Sequence, residues 1–318
     1  MAVLASTVLA LASIQTRRLT LPEIGALATR GFCAVPSWIS SADVERIRAD
    51  VLAADSAGML RTASVGNGAT ARADDSIRRT RMCGLLPGPP SRVGCVDTRL
   101  QLTAAIERLR IELAELASDG ALAPMHALTP FATECAYLNY PQGGYYTRHL
   151  DVPAANEGWL RIGRAPADGT SVARWERRRT ISLLLYLNAG WDMDAWGGQL
   201  RVFTRASEPC ATPQAADGGR DTASEVARVR GERDPAARDG AGTGASADVW
   251  VDIAPEGGTL VLMRSELVEH EVLATRQPRQ CVVAWFRTER RAGLSPSGPH
   301  PCTGESAKGV HRDAGQRT

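Results

Sequence analysis

From Cys135 onward the chain breaks into short apolar runs bounded by Gly, Pro or polar turns, and this limits the fold more than any other feature. The runs Thr180–Leu187, Gln199–Phe203, Val249–Ile253, Thr259–Met263, Leu267–Leu273 and Gln280–Phe286 have strand length and no helical tract between them. Such spacing predicts antiparallel strands, here enough of them to form a double-stranded β-helix, or jelly roll. Upstream, Gly31–Pro36 reads as a further strand. Ser40-Ser41-Ala42-Asp43 offers a cap and a first-turn acid for a helix carrying Val44, Ile47 and Val51. Leu102, Ile106, Leu109, Leu113 and Leu116 recur every three or four residues, with Glu107, Arg108, Glu112 and Glu115 on the other faces of a second helix. The expected fold is mainly β with supporting helices.

Two stretches interrupt the strand pattern. Residues 153–179 and 205–247 are polar, rich in Ala, Gly, Arg and Asp, and nearly free of large apolar side chains, which predicts flexible insertions. The expected organisation is an N-terminal segment (1–24), a helical and strand support region (25–130), a jelly roll with those insertions (131–290) and a disordered tail (291–318). Residues 55–95, rich in Gly, Arg, Ser and Pro, are expected to form loops near the mouth of any site. At 318 residues with 44% apolar content, one catalytic domain with decorations fits best. The formal charge of +2 gives no sign of a nucleic-acid-binding face. Lys308 is the sole lysine among 37 basic residues, a bias that looks like coding preference rather than a binding surface.

The seven cysteines are an odd number, scattered and without a Cys-x-x-Cys pair, so a reducing compartment is the simpler reading. Residues 2–13 are apolar and followed by Arg17 and Arg18, too short to span a bilayer and lacking a basic start. A secretory signal, an organelle transit peptide and a plain N-terminal helix compete there. A soluble cytoplasmic protein with no stable membrane span is the favoured expectation.

Within the strand-rich half, His149 and Asp151 sit two apart in Tyr145-Tyr146-Thr147-Arg148-His149-Leu150-Asp151, so on a strand both would face one way. Alone, such a pair is what an exposed strand face also carries. A second imidazole, His270, lies in another apolar segment and would complete two histidines and one carboxylate. That set leaves metal positions open, as non-haem Fe(II) oxygenases require. Nine residues further on, Arg279 precedes the run Cys281–Phe286. A guanidinium at the base of the cavity would hold a dicarboxylate bidentately with a charge that does not titrate, which points to 2-oxoglutarate. The remaining histidines, His126, His300 and His311, have no such context.

With these residues in place the chain resembles the Fe(II)/2-oxoglutarate-dependent dioxygenases, and among them the prolyl 4-hydroxylases of the hypoxia-sensing type. The likeness rests on Tyr-Pro-x-Gly-Gly-Tyr-Tyr-x-Arg-His-x-Asp (140–151), Tyr186-Leu187-Asn188, Trp191-Asp192, Gly197-Gly198-x-Leu200-Arg201-Val202-Phe203, and His270 through Trp285. It covers residues 130–288, with weaker similarity back toward residue 25. It implies a cupin-like jelly roll, His149, Asp151 and His270 as iron ligands, and Arg279 with Tyr186 on the distal carboxylate of 2-oxoglutarate. Tyr140, Tyr146 and Trp285 match cavity-wall positions. From the residues alone, Tyr186 would be a core aromatic of the run Ile181–Leu187. Two departures bear on the substrate: Val283 stands where the hypoxia-sensing enzymes carry threonine, and the loop between Tyr140 and His149 is one residue shorter.

The resemblance implies the use of Fe(2+), 2-oxoglutarate, O2 and L-ascorbate, and hydroxylation of proline at C4 in a protein or peptide, with release of succinate and CO2. A 2-oxoglutarate oxygenase of a free amino acid or small metabolite is the alternative. A non-catalytic jelly-roll binding protein is a third reading, which loss of any of the four site residues would have favoured. A cupin-type metal protein without 2-oxoglutarate is separated from the oxygenases by Arg279 with Tyr186.

Overall fold

Two antiparallel sheets, packed face to face, make up the core of the computed structural model, which describes residues 13–66, 71–85, 88–90, 92–118, 134–152, 155–162, 175–204, 227–230 and 249–291. The elements in chain order are α1 (Leu21–Thr29), β1 (Phe32–Val35), α2 (Ser41–Ser56), β2 (Arg61–Thr62), β3 (Arg81–Gly84), α3 (Val96–Ser118), β4 (Glu134–Tyr140) and β5 (Tyr146–His149). They continue with β6 (Leu160–Ile162), β7 (Trp175–Tyr186), α4 (Met193–Trp196), β8 (Leu200–Thr204), β9 (Ala227–Arg230), β10 (Val249–Ile253), β11 (Leu260–Arg264), β12 (His270–Val272) and β13 (Arg279–Arg291). The larger sheet has the order β1-β11-β7-β13-β4-β3-β2, with β6 on the extension of β7. The smaller has the order β5-β12-β8-β10-β9. This is a double-stranded β-helix with helices on one side.

The period-2 pattern of β13 shows how the layers form. Val282, Ala284 and Phe286 face a core shared with Ile47 and Val51 of α2 and Leu102, Ile106, Leu109 and Leu113 of α3. The alternate residues Cys281, Val283 and Trp285 face the other core, between the sheets, with Leu200, Val202, Val251, Ile253 and Val272. The helices thus cover the outer face of the larger sheet, and its inner face is left to the smaller sheet. Ser40 caps α2 as the sequence predicts, its hydroxyl accepting from the Asp43 amide at 3.1 Å. A buried polar knot ties helices to sheet: Asp50 of α2 accepts from the Tyr137 hydroxyl on β4 at 2.7 Å and pairs with Arg99 of α3 at 3.3 Å.

Several boundaries differ from the sequence expectation. The strand expected over Thr180–Leu187 begins at Trp175, inside the expected insertion 153–179. That extension pairs Arg177, Glu176 and Trp175 with Glu289, Arg290 and Arg291 of β13 and is held by charge and ring contacts rather than apolar burial. Arg290 reaches Glu176 at 3.0 Å, and its guanidinium lies 4.0 Å from the Trp159 ring centroid. Hydrophobicity could not reveal it. Likewise β9 falls within the expected insertion 205–247 and pairs with β10; the rest of that stretch lies outside the described residues, as do residues 1–12 and 292–318. The boundary at residue 24 falls inside α1, and Ile14 and Leu19 already belong to the helix-side core. Among the described residues, no helix is long and apolar enough to cross a membrane.

Candidate metal and co-substrate site

His149 ends β5 and His270 begins β12, and the two are direct cross-strand partners in the smaller sheet. Their ring centroids are 4.3 Å apart. Asp151 departs from the expectation that it shares a strand face with His149: β5 stops at His149, and Asp151 lies in the bend that follows. That bend brings its carboxylate back to both rings, with Oδ1 3.7 Å from Nε2 of His149 and Oδ2 3.9 Å from Nε2 of His270. One ligand atom from each of the three lies within 4.8 Å of the others.

The surroundings orient each group. Nδ1 of His149 is 2.7 Å from the Thr147 carbonyl, and Nδ1 of His270 is 3.1 Å from the Val268 carbonyl. A carbonyl only accepts, so each Nδ1 carries the proton and each Nε2 presents a lone pair toward Asp151. Burial, reinforced by His149, depresses the His270 pKa to about 4, so the ring is neutral at physiological pH. For Asp151, burial alone would raise the pKa. The adjacent His149 and His270 imidazoles and the Arg179 guanidinium outweigh it and hold the carboxyl below the usual range. Two imidazoles presenting Nε2 and one ionised carboxylate, lone pairs converging, form a donor set suited to a divalent first-row metal. Trp285 adds a partner that the sequence reading placed only on the cavity wall: its Nε1 donates to Asp151 Oδ2 at 3.0 Å.

Arg279 opens β13 opposite Tyr140 of β4, and Tyr186 of β7 sits on the neighbouring strand opposite Cys281. By the same alternation that turns Cys281, Val283 and Trp285 inward, the Arg279 side chain points between the sheets. It is fully buried, its guanidinium 4.8 Å from the Tyr140 ring centroid and 4.9 Å from that of Tyr186. Its Nε and Nη2 have no hydrogen-bond partner, and neither does the buried Tyr186 hydroxyl. Burial raises the pKa of both phenols, that of Tyr140 to about 12, so both stay protonated donors. Buried polar groups left unpaired are uncommon in folded chains, and a buried cation needs an anion. A carboxylate entering here would meet a guanidinium fork and a phenol hydroxyl, so the residues fit the distal end of 2-oxoglutarate.

These groups line or adjoin a cavity of about 630 Å³, bounded among others by Tyr140, Tyr146, His149, Asp151, His270 and Trp285. Tyr146 stacks on His149, ring centroids 3.6 Å apart. The cavity also holds two arginines that the sequence did not single out, Arg78 and Arg179. Arg179 lies over the Trp285 ring at 3.8 Å and donates to Glu134 at 2.7 Å. Ser64, Val65 and Gly66 contribute to the wall, so part of the 55–95 stretch does reach the site.

A jelly roll with two histidines and a carboxylate at one sheet's rim and a buried arginine in the facing sheet is the architecture of an iron- and 2-oxoglutarate-using oxygenase. The family description of the 2OG-Fe(II) oxygenase superfamily matches residues 135–287, which hold all four of these residues. Over those residues the chain is similar to that superfamily, and the match together with the site supports an enzyme of the Fe(II)- and 2-oxoglutarate-dependent class. Among solved structures it is similar to a prolyl-4-hydroxylase from Pseudomonas putida, with 25% identity, 84% of this chain and 98% of that one covered, and a TM-score of 0.51. The fold is also that of a Trichoplax adhaerens prolyl hydroxylase solved with a peptide of the hypoxia inducible factor oxygen degradation domain. There the identity is 20%, the coverage 83% and 86%, and the TM-score 0.54. No curated protein matches the chain.

Proposed function

We propose that this oxygenase hydroxylates proline at C4 in a protein or peptide, with His149, Asp151 and His270 as its iron ligands and Arg279 with Tyr186 as the seat of the distal 2-oxoglutarate carboxylate. The observation that carries the co-substrate assignment is the fully buried Arg279 guanidinium whose Nε and Nη2 lack partners beside the equally unpartnered Tyr186 hydroxyl. The likeness to the Pseudomonas putida prolyl-4-hydroxylase supports the proline substrate. When bound, iron and 2-oxoglutarate supply the oxidation, in which the co-substrate loses CO2 to become succinate and one oxygen atom of O2 enters a substrate C–H bond.

The chain's own side chains have defined parts. The Thr147 and Val268 carbonyls hold the tautomers that aim both Nε2 atoms inward, and Trp285 holds one oxygen of Asp151. Arg279 fixes the co-substrate at its far end, and Tyr140, Tyr146 and Trp285 wall the cavity against water. Ascorbate is the proposed reductant that keeps the iron ferrous. A free amino acid remains the second substrate reading, because Arg78 and Arg179 give the cavity cations suited to a small acid.

The test is release of succinate from 2-oxoglutarate by the Fe(II)-loaded protein with ascorbate, with and without a library of proline-containing peptides. Peptide-stimulated turnover is expected, with a mass gain of one oxygen on proline. It is expected to vanish in His149→Ala and Asp151→Ala, and normal turnover in both variants would remove the metal assignment. Turnover stimulated by free amino acids and by no peptide would replace the prolyl substrate.

A further inference from the structure

One cation in the cavity has an aromatic neighbour but no carboxylate partner among the described residues. Arg78 lines the wall, is 7% exposed, and its Nε has no hydrogen-bond partner. Its guanidinium lies 4.6 Å from the Tyr146 ring centroid, and that ring stacks on His149. A backbone bridge between Arg78 and Tyr146 fixes the arrangement. The charge is therefore held one aromatic ring away from a proposed iron ligand. No ion pair joins Arg78 to a carboxylate among the described residues. Glu134 is taken by Arg179 and Arg287, Asp74 by Arg72, and Asp151 by the two histidines and Trp285.

A guanidinium keeps its charge at any ordinary pH, and burying it without a counter-ion is costly. An anion from outside would complete it. 2-Oxoglutarate does not supply that anion, because in the proposed function one of its carboxylates goes to the iron and the other to Arg279. The substrate is what remains. We propose that Arg78 binds a carboxylate of the substrate, so that this enzyme selects target residues with a carboxylate a few bonds from the oxidised carbon. The inference rests on the oxygenase reading above. The carboxylate has two sources, an acidic side chain flanking a target proline or the free carboxylate of an amino acid. Arg179, although paired with Glu134, adds to the positive potential on the same wall.

The experiment measures binding rather than turnover. Mn(II)-loaded protein saturated with 2-oxoglutarate is titrated calorimetrically with acetyl-Ala-Pro-Asp-amide against acetyl-Ala-Pro-Asn-amide, and with L-proline against L-prolinamide. In one pair or the other, the carboxylate probe is expected to bind about tenfold or more tightly than its amide counterpart, as a desolvated charged hydrogen bond implies. The pair that discriminates identifies the source. Arg78→Gln is expected to abolish the preference and Arg78→Lys to retain part of it. 2-Oxoglutarate affinity and thermal stability close to wild type in Arg78→Gln would show that the variant is folded. Absence of any preference in the wild-type protein, or its survival in Arg78→Gln, overturns the proposal. Failure of the underlying reading looks different, since 2-oxoglutarate would then not bind the wild-type protein or would bind Arg279→Gln equally well.

Discussion

Replacing Arg279 by methionine should raise the stability of the co-substrate-free protein while removing its response to 2-oxoglutarate. The guanidinium is fully buried, and its Nε and Nη2 lack partners. Each unsatisfied buried donor costs about 1–3 kcal/mol, so the two together cost roughly 2–6 kcal/mol. Against this stand the contacts with the Tyr140 and Tyr186 rings at 4.8 and 4.9 Å, worth about 1–2 kcal/mol each when desolvated. Methionine fills much of the same volume without a charge, and replacing buried ions by apolar side chains is commonly neutral or stabilising. At the midpoints the balance favours methionine by about 1 kcal/mol, which for a domain of this size is a rise in Tm of a few degrees. Ligand reverses the order. At a hundred times its Kd, 2-oxoglutarate stabilises the wild-type protein by about 2.7 kcal/mol. The variant, without two charge-assisted bonds worth about 1.5–3 kcal/mol each, should bind at least 100-fold more weakly and show no shift. Thermal unfolding of Mn(II)-loaded wild type and Arg279→Met, each with and without 2-oxoglutarate, reads both quantities. A variant clearly less stable than wild type without co-substrate, or one that keeps the co-substrate shift, refutes the reasoning.

Other perturbations have equally definite outcomes. Because burial depresses the His270 pKa to about 4, below its unfolded value near 6.5, the unfolded metal-free chain binds more protons in that interval. Its stability should therefore fall as pH drops from 6.5 toward 4, and His270→Gln should flatten that part of the profile in urea unfolding. An equal slope in the variant contradicts the assignment. Asp151, held below the usual carboxylate range, should add a further loss below about pH 4 as the unfolded chain takes up its proton. Trp285→Phe removes the 3.0 Å bond to Asp151 Oδ2 and should weaken Co(II) binding about 10-fold, measured by competition with a chromogenic chelator. Asp50→Ala strips the buried Arg99 and the Tyr137 hydroxyl of their shared acceptor and should cost about 3–5 kcal/mol in denaturant unfolding, with little effect on metal affinity.

What the sequence revealed depended on which force built each element. Strands stabilised by apolar alternation were legible, and the structure returns Val249–Ile253 with the expected ends. The first turns of β7 were not, because their cross-strand partners are charged residues and a tryptophan between arginines, which read as a polar loop. Helix α1 was missed although Thr20 and Glu23 carry a capping signal, the Glu23 carboxylate accepting from the Thr20 amide at 2.7 Å. At the site, residue types and spacing pointed to His149, Asp151, His270 and Arg279, and the fold brings the first three together with the fourth in the facing sheet. The route differed: a bend, not strand alternation, returns Asp151 to the histidines. Arg78 and Arg179 had no signal among so many arginines. Only tertiary pairing of residue 78 with Tyr146, and of residue 179 with Glu134 and Trp285, distinguishes them.

The division of the site between the sheets explains why its parts are so unequal in sequence. The two histidines belong to strands of the smaller sheet, while Arg279, Tyr140, Tyr186 and Trp285 belong to the inner face of the larger one. A molecule held by both must reach from the side chains of one stacked sheet to those of the other, so its fit depends on the spacing of the two sheets. The width of that gap is set by neither group of polar residues. It is set by Leu184, Leu200, Val202, Val272 and Val283, which fill the space between the sheets, and close-packed interiors relax only partly when such side chains change. In the proposed site these apolar residues therefore act through distance: a shift of half an ångström between the sheets would leave every polar side chain present and misplace a molecule held by Arg279 relative to the histidines.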